Sequence, residues 1–189
     1  MEGRTVREAP RARARKLVAH NPAVTGAAFH KGESKQDYAT PREFIRAVEL
    51  KFGKIDWDLA ASESNAVCFD WIGEQQDSFT VDWHKLKPPE IPGLERKGRP
   101  HLWLNPPFNN IEPWVRKCAI EWVQGAEISF LVPAAVGSEW YAKYVHHKAR
   151  VYSVRPRLCF DGKNPYPKDV VLCRYSAIGS PSFKLWKWK

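Results

Sequence analysis

His101-Leu102-Trp103-Leu104-Asn105-Pro106-Pro107-Phe108 is the stretch from which the fold is read. Its first four residues form a short apolar run that predicts a buried strand. The next four predict a stiff turn, because two successive prolines fix φ and the second biases the first away from the helical region. Residues 111–124 carry Ile111, Val115, Cys118 and Trp122 every three or four positions, a helix that Gly125 ends. Residues 127–132 are again short and apolar. Strand, helix and strand within about 30 residues is the rhythm of a parallel βαβ unit.

Working outward toward the C-terminus, a helix over about 138–148 and a strand over 150–154 continue the alternation, and 170–175 reads as a last strand. Toward the N-terminus, Pro88, Pro89, Pro92, Gly93, Gly98 and Pro100 mark 84–100 as a loop. Short elements precede it at 66–71 and in a segment ending at Val81-Asp82-Trp83, and a strand over 55–61 runs through Asp58. Thr40-Pro41 predicts a helix start, with Thr as cap and Pro at the first helical position. Phe44, Ile45, Val48, Leu50 and Phe52 supply its apolar face, and Gly53 stops it. Residues 1–35 hold Arg4, Arg7, Arg11, Arg13, Arg15 and Lys16 against Glu2 and Glu8, a basic arm that reads either as a phosphate contact or as a solvated tail. The expectation is an α/β fold in one domain over 36–189, with a mostly parallel sheet flanked by helices and an antiparallel last strand.

With 189 residues, 43% of them hydrophobic and nine Trp and nine Phe among them, the chain can bury a sizeable core. Its formal charge of +9 favours an anionic partner, nucleic acid before membrane surface. No run approaches the roughly 20 apolar residues of a membrane span, and the N-terminus lacks an apolar signal core, so the expected location is the cytoplasm. Cys68, Cys118, Cys159 and Cys173 are far apart, in apolar settings and outside any C-x-x-C pair, and the His residues lack ligand spacing. Reduced, buried thiols are therefore expected, and neither a structural zinc nor a disulfide framework.

In an open α/β sheet, ligands bind outside the carboxyl ends of the strands, which is where the Asn-Pro-Pro-Phe turn stands. It presents the amide oxygen of Asn105, the main-chain carbonyl of Pro106, held by Pro107, and the flat ring of Phe108. Two acceptors and a stacking face suit a planar group with an exocyclic amine. Such an amine is a poor nucleophile because its lone pair is delocalised into the ring. Acceptors on its N–H groups favour the tetrahedral form and bring the lone pair toward an electrophile, and holding them rigid is electrostatic preorganisation. A base in a duplex must first leave the stack, and Phe108 would then stack on it.

Asn105-Pro106-Pro107-Phe108 resembles motif IV, the (D/N/S)PP(Y/F/W) signature of amino-methyltransferases. The wider pattern resembles the phage DNA adenine-N6-methyltransferase (Dam-type) family. Its marks run in order from Thr40-Pro41 through Phe52-Gly53, Asp58-Leu59-Ala60-Ala61-Ser62, Asn65 and Asp82-Trp83 to the Asn-Pro-Pro-Phe turn. Pro113-Trp114, Leu131-Val132-Pro133-Ala134, Trp140-Tyr141, Arg157-Leu158-Cys159-Phe160 and Pro165-Tyr166-Pro167 complete it. The resemblance implies a Rossmann-like methyltransferase fold that uses S-adenosylmethionine and no metal, acts on double-stranded DNA and needs no obligate protein partner. Thr40 and Pro41 would line the methionine end of the cofactor. Asp58, Ala60 and Ser62 would stand at the first strand's carboxyl end, although this sequence has no G-x-G there. Asp82 would accept from the cofactor's adenine amine or ribose, with Trp83 nearby. Asn105, Pro106, Pro107 and Phe108 would hold the target base, and Arg155, Arg157 and Lys163 would touch DNA.

Plainer readings stand beside these. Asp58 also suits a cap, and Asp82 the end of a strand. Arg155 and Arg157 suit phosphates or acidic side chains, and Lys184-Leu185-Trp186-Lys187-Trp188-Lys189 suits a nucleic-acid surface or packing against the domain. Methylation of RNA or of a glutamine amide poses the same lone-pair problem, and a non-catalytic DNA-binding scaffold is a third reading, which predicts DNA binding without affinity for the cofactor.

Overall fold

The computed structural model describes residues 39–90, 92 and 98–189, so the basic arm and part of the proline-rich loop lie outside the described residues. The elements are α1 (Arg42–Phe52), β1 (Trp57–Asp58), β2 (Asp70–Trp71), single 3-10 turns at Ser78–Thr80 and Trp83–Lys85, β3 (His101–Leu104), α2 (Glu112–Val123), β4 (Glu127–Pro133), α3 (Glu139–Tyr144), β5 (Arg150–Arg155), β6 (Val170–Tyr175) and β7 (Ser182–Lys187). The strands form one sheet in the order β2-β1-β3-β4-β6-β5-β7. β6 runs antiparallel to β4 and β5, and every other pairing is parallel.

All four residues of β3 are buried because both faces of the sheet are covered. Successive side chains enter opposite cores, as a period of two requires. Leu102 and Leu104 join Trp83, Trp114, Val115, Cys118, Ile128 and Phe130 on the α2 side. Trp103 joins Phe44, Ile45, Val48, Leu131 and Leu172 on the α1 side. α1 ends as expected at Gly53, whose φ of 96° lies in the left-handed region that a glycine tolerates without cost.

Several elements differ from the sequence expectation. The strand over 55–61 contracts to Trp57–Asp58, because the Asp58 carboxylate accepts from the Ala60 and Val67 N–H groups and pulls the following chain into a loop. The element at 66–71 contracts to Asp70–Trp71. The segment ending at Trp83 is no strand. Asp77 caps a 3-10 turn through Phe79 N–H, and the Trp83 indole donates to Ser78 O. Its apolar residues mark insertion into a core rather than alternation. The helix over 138–148 shortens to Glu139–Tyr144, capped by Ser138, and the chain beyond passes through a left-handed turn at His147 (φ 56°). After the antiparallel β6, β7 forms a further strand along β5. The four thiols are free, with Cys118 and Cys173 buried but Cys68 and Cys159 only half-buried.

Candidate active site

β1 and β3 lie side by side, but the chain leaves them in opposite directions, β1 toward β2 and β3 toward β4. Such a switch point opens a crevice at the carboxyl ends of the strands. Asp58 closes β1 on one side of it and Asn105 follows β3 on the other. Because β5 is parallel to these strands and β6 returns antiparallel, residues 156–169 join them across this same carboxyl edge.

Three segments meet at the crevice. Asn105 Nδ2 donates to Thr40 Oγ1 at 3.1 Å, joining two residues 65 positions apart. Thr40 is buried, and it does not cap α1. The helix begins at Arg42 with Pro41 as its cap residue and no side-chain cap bond. The expected capping hydroxyl is directed to the turn after β3 instead. Arg42 donates from Nη1 to Val67 O (3.0 Å) and from Nη2 to Ala66 O (2.9 Å), fastening the start of α1 to the loop after β1. Within that loop, Asn65 Oδ1 accepts from Ser62 N–H at 2.7 Å, and the Ser62 and Ser64 hydroxyls are 3.0 Å apart.

Asp58 is 3% exposed. Burial pushes its carboxyl up to about 6, against the opposing pull of the Val67 and Ala60 N–H groups and the nearby Arg42 charge. Its carboxylate ties together the two ends of the loop over 60–67.

Phe108 is half-buried in a three-ring cluster. Its centroid lies 6.3 Å from Phe160 and 5.9 Å from Tyr166, both edge-on, and those two rings are 5.4 Å apart. Edge-to-face packing of this kind fixes ring planes. Beside the cluster opens a cleft of about 290 Å³, lined by Ala39, Thr40, Pro41, Arg42, Ser64, Asn65, Cys159, Phe160 and Gly162.

The structure therefore brings together Thr40, Pro41, Asp58, Ala60, Ser62 and Asn105 through Phe108, whether in the cleft or tied to its walls. It does not bring Asp82 and Trp83 there. Trp83 is fully buried in the core, and Asp82 is exposed and paired with Lys85 at 2.7 Å. Next to it, His84 N–H donates to Glu121, in the last turn of α2 and so at the end remote from Phe108. Ligand-type atoms of Asp82, His84 and Glu121 lie within 4.8 Å of one another, a grouping of metal-binding residue types that sequence spacing hides. The ammonium groups of Lys85 and Lys117 already pair with its carboxylates. Of the predicted DNA contacts, Arg155 and Lys163 are exposed at the carboxyl edge, whereas Arg157 is paired with Asp169 at 2.8 Å and Pro167 O at 3.1 Å. Arg42, Ser64 and Gly162 escaped the sequence reading, and Phe160, quoted there among the family's marks, was given no role. Arg42 carried a signal, because a cation at a helix N-terminus opposes the dipole and needs a tertiary reason to be there.

The sequence model for "DNA N-6-adenine-methyltransferase (Dam)" matches residues 28–170, most of the chain. The chain belongs to the Dam family. Among curated Dam-type relatives, a DNA N-6-adenine-methyltransferase of Escherichia phage T1 is 29% identical over 124 residues, which is 66% of this chain and 47% of that protein. The chain thus spans about half the length of the T1 relative. One from Haemophilus phage HP1 is 27% identical over 133 residues, 69% of each protein. No solved structure matches the chain. The matched range takes in Thr40, Asp58 and the Asn-Pro-Pro-Phe turn but stops short of β7. No described helix is long and apolar enough to cross a membrane.

Proposed function

We propose that this Dam-family protein methylates the N6 amine of adenine in double-stranded DNA, with S-adenosylmethionine as donor. The observation that carries the reading is the Asn105 amide, anchored at the switch point to Thr40, which itself lines an open cleft. The residues present fit the cofactor. Thr40, Ser64 and Asn65 offer hydrogen-bonding groups to an amino-acid end, Arg42 adds positive charge beside them, and Phe160 offers a ring face to a nucleoside. When bound, the cofactor supplies an electrophilic methyl carbon.

The chain's own groups do the rest. With Nδ2 held by Thr40, the other arm of the Asn105 amide is its acceptor, which takes one N–H of the target amine while the Pro106 carbonyl takes the second. Phe108 stacks on the extruded base, and Phe160 and Tyr166 brace its ring plane. Arg155 and Lys163 meet backbone phosphates at the same edge. The RNA and glutamine readings use the same turn, but the surplus of positive charge speaks against a protein substrate and the family membership favours DNA over RNA.

Incubation with unmethylated DNA and radiolabelled S-adenosylmethionine, followed by nucleoside analysis, tests this directly. N6-methyladenine is the expected product, and Asn105→Ala should abolish it while leaving cofactor binding intact. Label on RNA or protein, with none on DNA, would overturn the reading.

A further inference from the structure

Arg150 and Arg174 are register partners on the antiparallel pair β5–β6, so their side chains leave the same face of the sheet. That face is the α1 side, since Tyr152 and Leu172, two positions along each strand, lie in the core beneath α1. Both arginines stand at the amino edge of the parallel strands, the end opposite the Asn-Pro-Pro-Phe turn. The length of β5, about 16 Å, separates Arg150 from Arg155 at the carboxyl edge.

The charges at this edge do not balance. Arg174 is 4% exposed and gives Nη2 to Glu127 Oε2 at 2.7 Å, while the other Glu127 oxygen accepts from the Ser176 hydroxyl at 3.3 Å. Among the described residues, Glu127 is the one carboxylate that pairs with either arginine. The Nε atoms of both guanidiniums are shielded from solvent and have no acceptor among the described residues. Burial pushes the Arg174 pKa down, Glu127 pulls it up, and the Arg150 charge adds to the downward push. Lys51 brings a third cation, with Nζ 5.6 Å from the centroid of the Phe52 ring that Arg174 Cζ approaches to 6.0 Å. The backbone accommodates the pair as well. Gly179, in the turn before β7, has φ 84°, and a Cβ there would lie 3.0 Å from Arg150 Nη1. The Arg150 guanidinium thus rests closely against a turn that glycine keeps open.

Unpaired charge taken out of water is costly, and a guanidinium fork matches the oxygens of a phosphate. We propose that Arg150 and Arg174 form a second anion site, separate from the catalytic crevice, for a phosphate group that is free or carried by a small ligand. A phosphate between the two forks gives each Nε its missing acceptor and offsets the surplus charge that Glu127 leaves. Arg150 is half-buried, so its long side chain is the one that swings to admit the ligand and closes over it. The substrate duplex is not the source, because the target base enters at the opposite edge of the sheet. The site stands whether or not the chain methylates DNA.

Thermal unfolding of the full chain near neutral pH tests the site, with sodium phosphate compared against sodium chloride of equal ionic strength. Phosphate should raise Tm saturably and by more than chloride does. Calorimetric titration with inorganic phosphate and with adenosine monophosphate then distinguishes the free ion from a nucleotide by the lower Kd. Arg150→Met should weaken phosphate binding about tenfold or more. Without phosphate it should melt no lower than the wild type, because a like charge beside Arg174 is gone. Arg150→Lys keeps the charge but loses the fork, and its affinity should fall between the two. Arg155→Ala combined with Lys163→Ala should leave the phosphate response intact.

Stabilisation no greater than that by chloride overturns the site. So does a response that survives Arg150→Met, or one that a short DNA duplex or the Arg155→Ala, Lys163→Ala pair abolishes, since the anion would then lie at the carboxyl edge. Should Arg150→Met fail to fold, Arg150→Lys decides, and an unchanged phosphate Kd there overturns the proposal.

Discussion

The indole of Trp188 meets Phe44 edge-on, with ring centroids 5.2 Å apart and planes at 83°, while its Nε1 donates to Pro156 O at 2.8 Å. Trp186 packs on the same phenyl ring at 5.5 Å. The cation–aromatic segment at 184–189 therefore spends its indoles on the domain, and Lys189 pairs with Glu43 at the start of α1. Since α1 begins just after Thr40 and Pro41, the C-terminal strand supports the wall of the cleft. Trp188→Ala removes a half-buried ring and should cost about 2 kcal/mol, below the range for a fully buried aromatic. Thermal unfolding should fall by about 4–8 °C in a chain of this size. An unchanged melting temperature would mean that the segment rests on the domain without supporting it.

Phe108→Ala should weaken capture of the target base by about 1–3 kcal/mol, the scale of base–aromatic stacking. Phe108→Trp should retain much of the affinity, because the stacking face persists. Steady-state KM for DNA and DNA affinity by anisotropy check this. A variant that loses stability but not affinity would assign Phe108 to packing with Phe160 and Tyr166 alone.

How far the sequence reached follows from what each element buries. β3, its turn, α2 and β4 were legible because both sheet faces are covered, so the apolar runs and the helical period were unbroken. β7 was not, since it is an edge strand whose Phe183 and Leu185 face solvent while Trp186 faces α1, a pattern that mimics a nucleic-acid surface. The Asn-Pro-Pro-Phe turn could be read locally, because its chemistry lies in four consecutive residues. The contact of Phe160 and Tyr166 with Phe108 could not, because it exists only through the antiparallel return from β5 to β6. Thr40 was placed correctly at a helix start but given the wrong bond, and Asp82 looked like a strand end although its segment docks on the far end of α2.

Asp58 makes stability depend on pH in a definite direction. Its folded carboxyl sits at about 6 against an ordinary 3.8, so between these values the folded protein holds a proton that the unfolded chain has released. Its contribution is thus fully present below about pH 4 and is lost as pH rises through 6, amounting to about 2–3 kcal/mol. Asp58→Asn removes this step. The melting temperature of the wild type, taken relative to that variant, should fall by several degrees between pH 4 and pH 7. A difference that stays flat or rises over that range would show that the carboxyl is not raised.

The thiols offer a probe of the cleft itself. Cys118 and Cys173 are buried, and burial together with the neighbouring carboxylates pushes the Cys68 thiol up to about 12, so these three should be slow toward alkylating agents at pH 8. Cys159 is half-buried in the cleft wall beside Phe160 and Gly162 and should react first. Bound S-adenosylhomocysteine should then slow its modification, whereas DNA alone should protect it less. Peptide mapping by mass spectrometry after brief iodoacetamide treatment reads out all four sites at once, with Cys159→Ser as the control. Protection that appears at Cys68 and not at Cys159 would move the cofactor away from the Thr40 side of the crevice and toward β2.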